Sequence, residues 1–241
     1  MIEEKFKDVK ERNEGVLIAY ITAGLPEPSC TINVCSALIK GGADIIELGI
    51  PFSDPIADGK TIQRSSYLAL KKGVKTKAAL NVAKSIKEEF NIPLILLSYY
   101  NPIYKIGINK FLNLAKKANI DGLIIPDLPV DEADEYVRLA RNFDIDTIFL
   151  ASPNTSKKRL SEIVKKTKGF LYLVSSYGVT GVRERLEDYT INVIKRFSRL
   201  VDGKTYLAVG FGLSKQEQIK AILRNGADGV IVGSAIMKII N

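Results

Sequence analysis

No histidine and no tryptophan occur among the 241 residues, and there are only two cysteines, Cys30 and Cys35. Without histidine the chain has neither the usual general base of neutral pH nor the commonest metal ligand. Acid–base chemistry then falls to carboxylates, tyrosines or lysines. The two cysteines lie in one predicted helix over 29–40. At five positions apart their Cα atoms are about 8 Å from each other, beyond disulfide reach. No apolar run approaches the roughly 20 residues that a membrane helix needs. The start, Met1-Ile2-Glu3-Glu4-Lys5-Phe6, is charged and has no signal-peptide core. A cytoplasmic protein is expected. No linker or low-complexity segment interrupts the chain, so residues 1–241 are expected to form a single domain.

Acidic residues are in the minority: 27 against 35 Lys and Arg, a net charge of +8. Nucleic-acid binding is the first reading of such a number. The basic residues are instead spread along predicted helices, as in Lys71-Lys72, Lys116-Lys117 and Lys165-Lys166, with no interleaved aromatics. A solvated basic surface that draws in an anionic substrate fits better.

Short apolar runs alternate with longer helical stretches. Strands are predicted over 16–22, 43–49, 93–99, 122–126, 146–151, 170–174, 205–210 and 229–233. Most are continuous rather than alternating, as expected of parallel strands covered on both faces. Helices are predicted over 76–90, 131–143 and 215–225 as well, with Asp131 and Ser214 as N-caps. A weak repeat joins helix ends to strands: Gly41-Gly42-Ala43-Asp44, Asn119-Ile120-Asp121-Gly122 and Gly226-Ala227-Asp228-Gly229. Eight strands in a chain of this length match an α/β fold, a (β/α)8 TIM barrel. The runner-up, a doubly wound sheet, more usually shows Gly-x-Gly-x-x-Gly after its first strand, where this chain has Ala23-Gly24-Leu25-Pro26. Ile2, Phe6 and Val9 have helical spacing and predict an N-terminal helix capping the barrel bottom.

Barrel chemistry sits at the C-terminal ends of the strands. Glu47 is the one charged residue in the run Ile45-Ile46-Glu47-Leu48-Gly49, and burying it without a partner is costly. Asp58 follows eleven positions later, in a loop punctuated by Pro51, Pro55 and Gly59. Two carboxylates opening on one rim are how many enzymes divide acid and base roles. Tyr20, Tyr99, Asp127 and Tyr172 stand at other strand ends. No lysine does, which argues against a Schiff-base aldolase, and no set of metal ligands gathers there. Two glycine clusters, Val209-Gly210-Phe211-Gly212 and Val232-Gly233-Ser234, follow the last two predicted strands and suit a phosphate. The long irregular stretch 175–187 has the length of a lid.

The run from Glu47 to Gly59, Glu-Leu-Gly-Ile-Pro-Phe-Ser-Asp-Pro-Ile-Ala-Asp-Gly, followed by Thr61-Ile62-Gln63, resembles the signature of the tryptophan synthase alpha chain family. So do Pro126-Asp127-Leu128-Pro129, Gly178-Val179-Thr180-Gly181, Val209-Gly210-Phe211-Gly212 and Val232-Gly233-Ser234-Ala235, in order over nearly the whole chain. The resemblance implies a lyase of L-tryptophan biosynthesis that cleaves indole-3-glycerol phosphate to indole and D-glyceraldehyde 3-phosphate. It implies no cofactor and no metal in this chain. Its partner would be a tryptophan synthase beta chain carrying pyridoxal phosphate, in an α2β2 heterotetramer docked through the rim loops 51–60, 101–105, 126–131 and 153–157. By position, Glu47 corresponds to the family's acid/base and Asp58 to the acceptor of the indole N–H proton. Tyr20, Leu97, Tyr99 and Phe211 would wall the indole, with Tyr172 beside Glu47 and Asp127 at the substrate-binding rim. Backbone N–H groups of Gly181, Gly212, Gly233 and Ser234 would hold the phosphate, and Thr180 would link the lid to Asp58. Within the lid, Ser176-Tyr177 replaces the Arg-Ala that many relatives carry before Gly178-Val179-Thr180-Gly181, so lid ordering is expected to differ. Relatives also carry an outer helix after the position of Lys238-Ile239-Ile240, so the last helix is expected to be reduced or truncated. Two rival readings are a related phosphate-binding barrel acting on another small phosphorylated substrate, and a non-catalytic allosteric subunit.

Overall fold

The computed structural model describes residues 1–174, 188–210 and 212–241. The strands are β1 (Val16–Thr22), β2 (Ile45–Gly49), β3 (Leu94–Leu97), β4 (Gly122–Ile124), β5 (Asp146–Ile148), β6 (Leu150–Ala151), β7 (Phe170–Val174), β8 (Tyr206–Gly210) and β9 (Gly229–Val232). All pair in parallel, in the order β5-β4-β3-β2-β1-β9-β8-β7-β6. β5 and β6 belong to one extended segment, predicted as a single strand and interrupted at Phe149. Its first half pairs with β4 and its second with β7, and the Phe149 carbonyl accepts from the Tyr172 N–H at 3.0 Å. The two ends of the sheet therefore meet in this segment, and the sheet is a nearly closed TIM barrel. Between β4 and β7 the segment changes partner, which breaks the ladder at one residue.

The helices of the described residues are α1 (Ile2–Glu11), α2 (Thr31–Lys40), α3 (Lys60–Lys71), α4 (Thr76–Glu89), α5 (Tyr100–Ile106), α6 (Ile108–Lys117), α7 (Asp134–Asn142), α8 (Lys157–Lys166), α9 (Asp188–Val201), α10 (Gln216–Arg224) and α11 (Ser234–Ile240). Each buries an apolar stripe: α4, for example, turns Ala79, Leu80, Ala83 and Ile86 inward. None is long and apolar enough to cross a membrane.

Three local expectations change. Asp131 lies inside a 3-10 turn, Val130–Glu132, and pairs with Arg159 at 2.8 Å instead of capping a helix. Ser214 does not cap α10 either: the Gln218 side chain reaches back and accepts from the N–H groups of Ser214 and Lys215, both at 3.1 Å. Cys30 sits in the 3-10 turn Pro28–Cys30, just ahead of α2, and both cysteines are free.

The bottom of the barrel is plugged by α1, as its spacing predicts. Ile2, Phe6 and Val9 are buried, and Phe6 stacks on Tyr206 with ring centroids 4.9 Å apart. Glu3 accepts from the Gly169 N–H at 3.2 Å, and Lys10 pairs with Asp228 at 2.9 Å. The repeated aspartates have one shared job here. Asp44 and Leu17, Asp121 and Leu94, and Asp228 and Leu207 are each joined by two hydrogen bonds. In each pair the aspartate N–H donates to the leucine carbonyl, and the aspartate carboxylate accepts from the leucine N–H. Each aspartate thus clasps the start of the preceding strand. Gly42, Asn119 and Gly226, which end the helices before these clasps, all have positive φ.

Candidate active site

With one end plugged, the opposite mouth is formed by the C-terminal ends of the strands. Glu47 lies on β2, in register with Tyr20 on β1 and Ile95 on β3, and is 1% exposed. Its Oε2 has no hydrogen-bond partner among the described residues. Burial, with Asp58 nearby, pushes its carboxyl up to about 8. The protonated form is therefore favoured at pH 7.

Asp58 sits in the loop that follows β2 and is half-buried. Burial raises it to about 6, while the Tyr99 hydroxyl, donating to Oδ2 at 3.0 Å, pulls it down. It is therefore ionised at pH 7. The same hydroxyl accepts from the Ala57 N–H at 2.9 Å, and the Tyr99 ring stacks on Phe52 with centroids 5.2 Å apart.

Tyr20 and Tyr172 lie flat across neighbouring glycines. A Cβ on Gly49 would meet the Tyr20 hydroxyl at 2.2 Å, and one on Gly210 would meet the Tyr172 hydroxyl at 2.6 Å. Gly210, placed by its motif in a phosphate turn, thus makes room for an aromatic ring. Burial and the two carboxylates push both phenols above their ordinary value. Tyr20 bonds the Thr22 hydroxyl at 3.1 Å.

The structure gathers Glu47, Asp58, Tyr20, Tyr99 and Tyr172 in one electrostatic neighbourhood. Leu97 ends β3 and is buried, paired with Gly49. Gly233 packs against Tyr20, where an added Cβ would stand 3.2 Å from the Tyr20 Cβ, and Ser234 follows it at the start of α11. Gly212 has φ 73°, and among the described residues nothing would lie within 4 Å of a Cβ added there. Asp127 is engaged elsewhere: it accepts from the Tyr100 N–H at 2.8 Å and steadies the start of α5. It also lines a cleft of about 270 Å³ with Leu128, Phe149 and Arg159, which neither Glu47 nor Asp58 borders. Thr180, Gly181 and Phe211, and the proposed lid over 175–187 with Ser176-Tyr177, lie outside the described residues.

Sequence reasoning missed Phe52 and the detailed work of Gln63, whose Nε2 donates to the Asp58 carbonyl at 2.9 Å. Gln63 stands in the first turn after Asp58, so a side chain reaching back to the loop is the signal that was there to use.

A parallel barrel with two buried or half-buried carboxyls, Glu47 and Asp58, toward its C-terminal mouth has the layout of a TIM-barrel enzyme. The family profile described as tryptophan synthase alpha chain matches residues 6–241. The tryptophan synthase alpha chain of Pyrococcus furiosus is 48% identical over 227 residues, covering 94% of this chain and 90% of that one. That of Methanosarcina barkeri is 44% identical over 240 residues, covering 100% and 89%. Among solved structures, the a2b2 tryptophan synthase complex of P. furiosus superposes with a TM-score of 0.88 at 48% identity, covering 94% of this chain and 90% of that one. A structure from Aquifex aeolicus gives a TM-score of 0.90 at 36% identity, covering 99% and 90%. The chain belongs to the tryptophan synthase alpha chain family, lyases that cleave indole-3-glycerol phosphate in tryptophan biosynthesis.

Proposed function

We propose that Glu47 and Asp58 carry this reaction, the cleavage of indole-3-glycerol phosphate to indole and D-glyceraldehyde 3-phosphate, in a single domain spanning residues 1–241. The observation that supports the reading most is the Oε2 of a glutamate that is 1% exposed and has no hydrogen-bond partner among the described residues. A purely structural acid at that depth would be paired.

At neutral pH an acid held at about 8 keeps its proton and one held at about 6 has lost it. The substrate meets a donor and an acceptor already in the required states. Glu47 gives its proton to indole C3 as Asp58 accepts the ring N–H proton, which forms the indolenine tautomer. Glu47, now a carboxylate, takes the proton from the glycerol hydroxyl beside the C3–C bond. That oxygen becomes the aldehyde C=O, the C3–C bond breaks, and its electron pair returns to the ring. Asp58 returns its proton to the ring nitrogen. Glu47 ends protonated and Asp58 ionised, as they began.

In this reading Tyr20, Leu97, Tyr99, Tyr172 and Phe211 enclose the indole, and Asp127 supports the rim. Backbone N–H groups of Gly181, Gly212, Gly233 and Ser234 hold the phosphate, and Thr180 joins the lid to Asp58. The chain works in the cytoplasm against a beta chain carrying pyridoxal phosphate, as an α2β2 assembly. The docking face is the rim, where Ile56 is 79% and Tyr104 71% exposed. Incubating the pure chain with indole-3-glycerol phosphate and assaying free indole tests the reading. Release that disappears in Glu47→Gln supports it, and no release, alone or with the beta chain, overturns it.

A further inference from the structure

The loop that carries Asp58 contains Pro51, Pro55 and Gly59 and belongs to no strand or helix. The backbone of Asp58 itself is held by two bonds. The Asp58 N–H donates to the Pro55 carbonyl at 3.1 Å, and the Asp58 carbonyl accepts from Gln63 at 2.9 Å. Neither bond orients the carboxylate. Tyr99 does. A phenol has one proton, and because this oxygen accepts from the Ala57 N–H, its own proton is directed at Asp58 Oδ2. The anchor itself is firm: Tyr99 is 2% exposed, stacked on Phe52, and followed by Tyr100, whose N–H is held by Asp127.

We infer that Tyr99 is a positioning residue for Asp58, its hydroxyl pinning Oδ2 and the Ala57 N–H together so that Oδ1 is the oxygen left to receive the indole N–H. This rests on the reading of Asp58 as proton acceptor. It gives Tyr99 a different part from a wall of the indole pocket. Among the described residues, the titratable groups facing Asp58 are Glu47 from β2, Tyr20 from β1, Tyr172 from β7 and Tyr99 after β3. None is a cation. Among the described residues the Tyr99 hydroxyl is the group that favours the ionised carboxylate against burial.

Tyr99→Phe removes one atom and keeps the ring that packs on Phe52. Two readouts test the inference. In carboxyl-labelled protein, the carbon-13 NMR titration of Asp58, assigned with Asp58→Asn, should move to higher pH by about one unit in Tyr99→Phe, the effect of one lost hydrogen bond to the ionised form. In the indole-release assay, the acid limb of kcat should move up by the same amount. kcat at pH 6 should fall about fivefold, while affinity for glycerol 3-phosphate stays within about twofold of wild type. An Asp58 titration and an acid limb both unchanged from wild type overturn the inference. Absence of indole release by the wild type instead overturns the functional reading, and the NMR titration still reports whether Tyr99 holds the carboxylate, because it needs no turnover.

Discussion

Glu47 is held at about 8 and Asp58 at about 6 chiefly by burial, so the fold itself favours their neutral forms. For Glu47 the associated stability is complete below its ordinary value of 4.5 and is lost as pH rises through about 8. Glu47→Gln removes the titration. The variant should therefore be more stable than wild type at pH 9, by on the order of a few kcal/mol, and much closer to it at pH 4. Thermal unfolding at the two pH values checks this, and equal Tm differences at both would contradict it. Activity should respond in the opposite sense, a trade of stability for function. For the wild type, kcat should rise through about 6 and fall through about 8, values that belong to the coupled pair. A profile flat from pH 5 to 9 would separate the chemistry from these two acids. Glu47 was legible in the sequence because a charge interrupts an apolar strand. The Tyr99–Asp58 bond was not, because it spans 41 positions and depends on how a proline-rich loop folds back.

At the scale of elements, the aspartate clasps account for the repeat that sequence analysis found but left as helix-to-strand punctuation. Asp121 is the most consequential of the three. It receives the Leu94 N–H at 2.8 Å and also pairs at 2.8 Å with Lys87, whose side chain is only 8% exposed. Asp121→Ala leaves a strand N–H without its acceptor and a buried ammonium without its counter-charge, holding only the Ile92 carbonyl, and should cost about 3 kcal/mol of stability. Denaturant unfolding measures that loss, and kcat of the folded fraction should be unchanged because the clasp lies at the end of the barrel opposite the site. Gly210→Ala should do the reverse at moderate cost to stability. The added methyl displaces the Tyr172 ring beside Glu47, so indole release should fall more than tenfold. Strand centres were readable from continuous apolar runs, and β1 and β7 match their predicted limits. The break at Phe149 was not readable, since it comes from a change of pairing partner. The caps at Asp131 and Ser214 failed because a tertiary ion pair and the Gln218 side chain took over those roles.

Across the whole molecule, α1 closes one end of the barrel and the two carboxylates occupy the other, so any exchange of substrate, product or partner concerns the rim. The exposed Ile56 lies two residues before Asp58, and Ile56→Asp should weaken docking of a beta chain without loss of fold. Titration calorimetry of the variant with a beta chain reads this, and unchanged affinity would move the docking face elsewhere. The overall plan was visible in the order of apolar and amphipathic segments, whereas the inward geometry depends on contacts between distant strands. The central claim, that Glu47 both delivers and recovers the proton of carbon–carbon cleavage, is tested most directly by single-turnover release of indole from saturating indole-3-glycerol phosphate. Wild type and Glu47→Gln are compared, with glycerol 3-phosphate binding as the control for an intact site. The account predicts a loss of about 10²–10⁴-fold or more with binding preserved. A Glu47→Gln chain that keeps a tenth of the wild-type rate would contradict it.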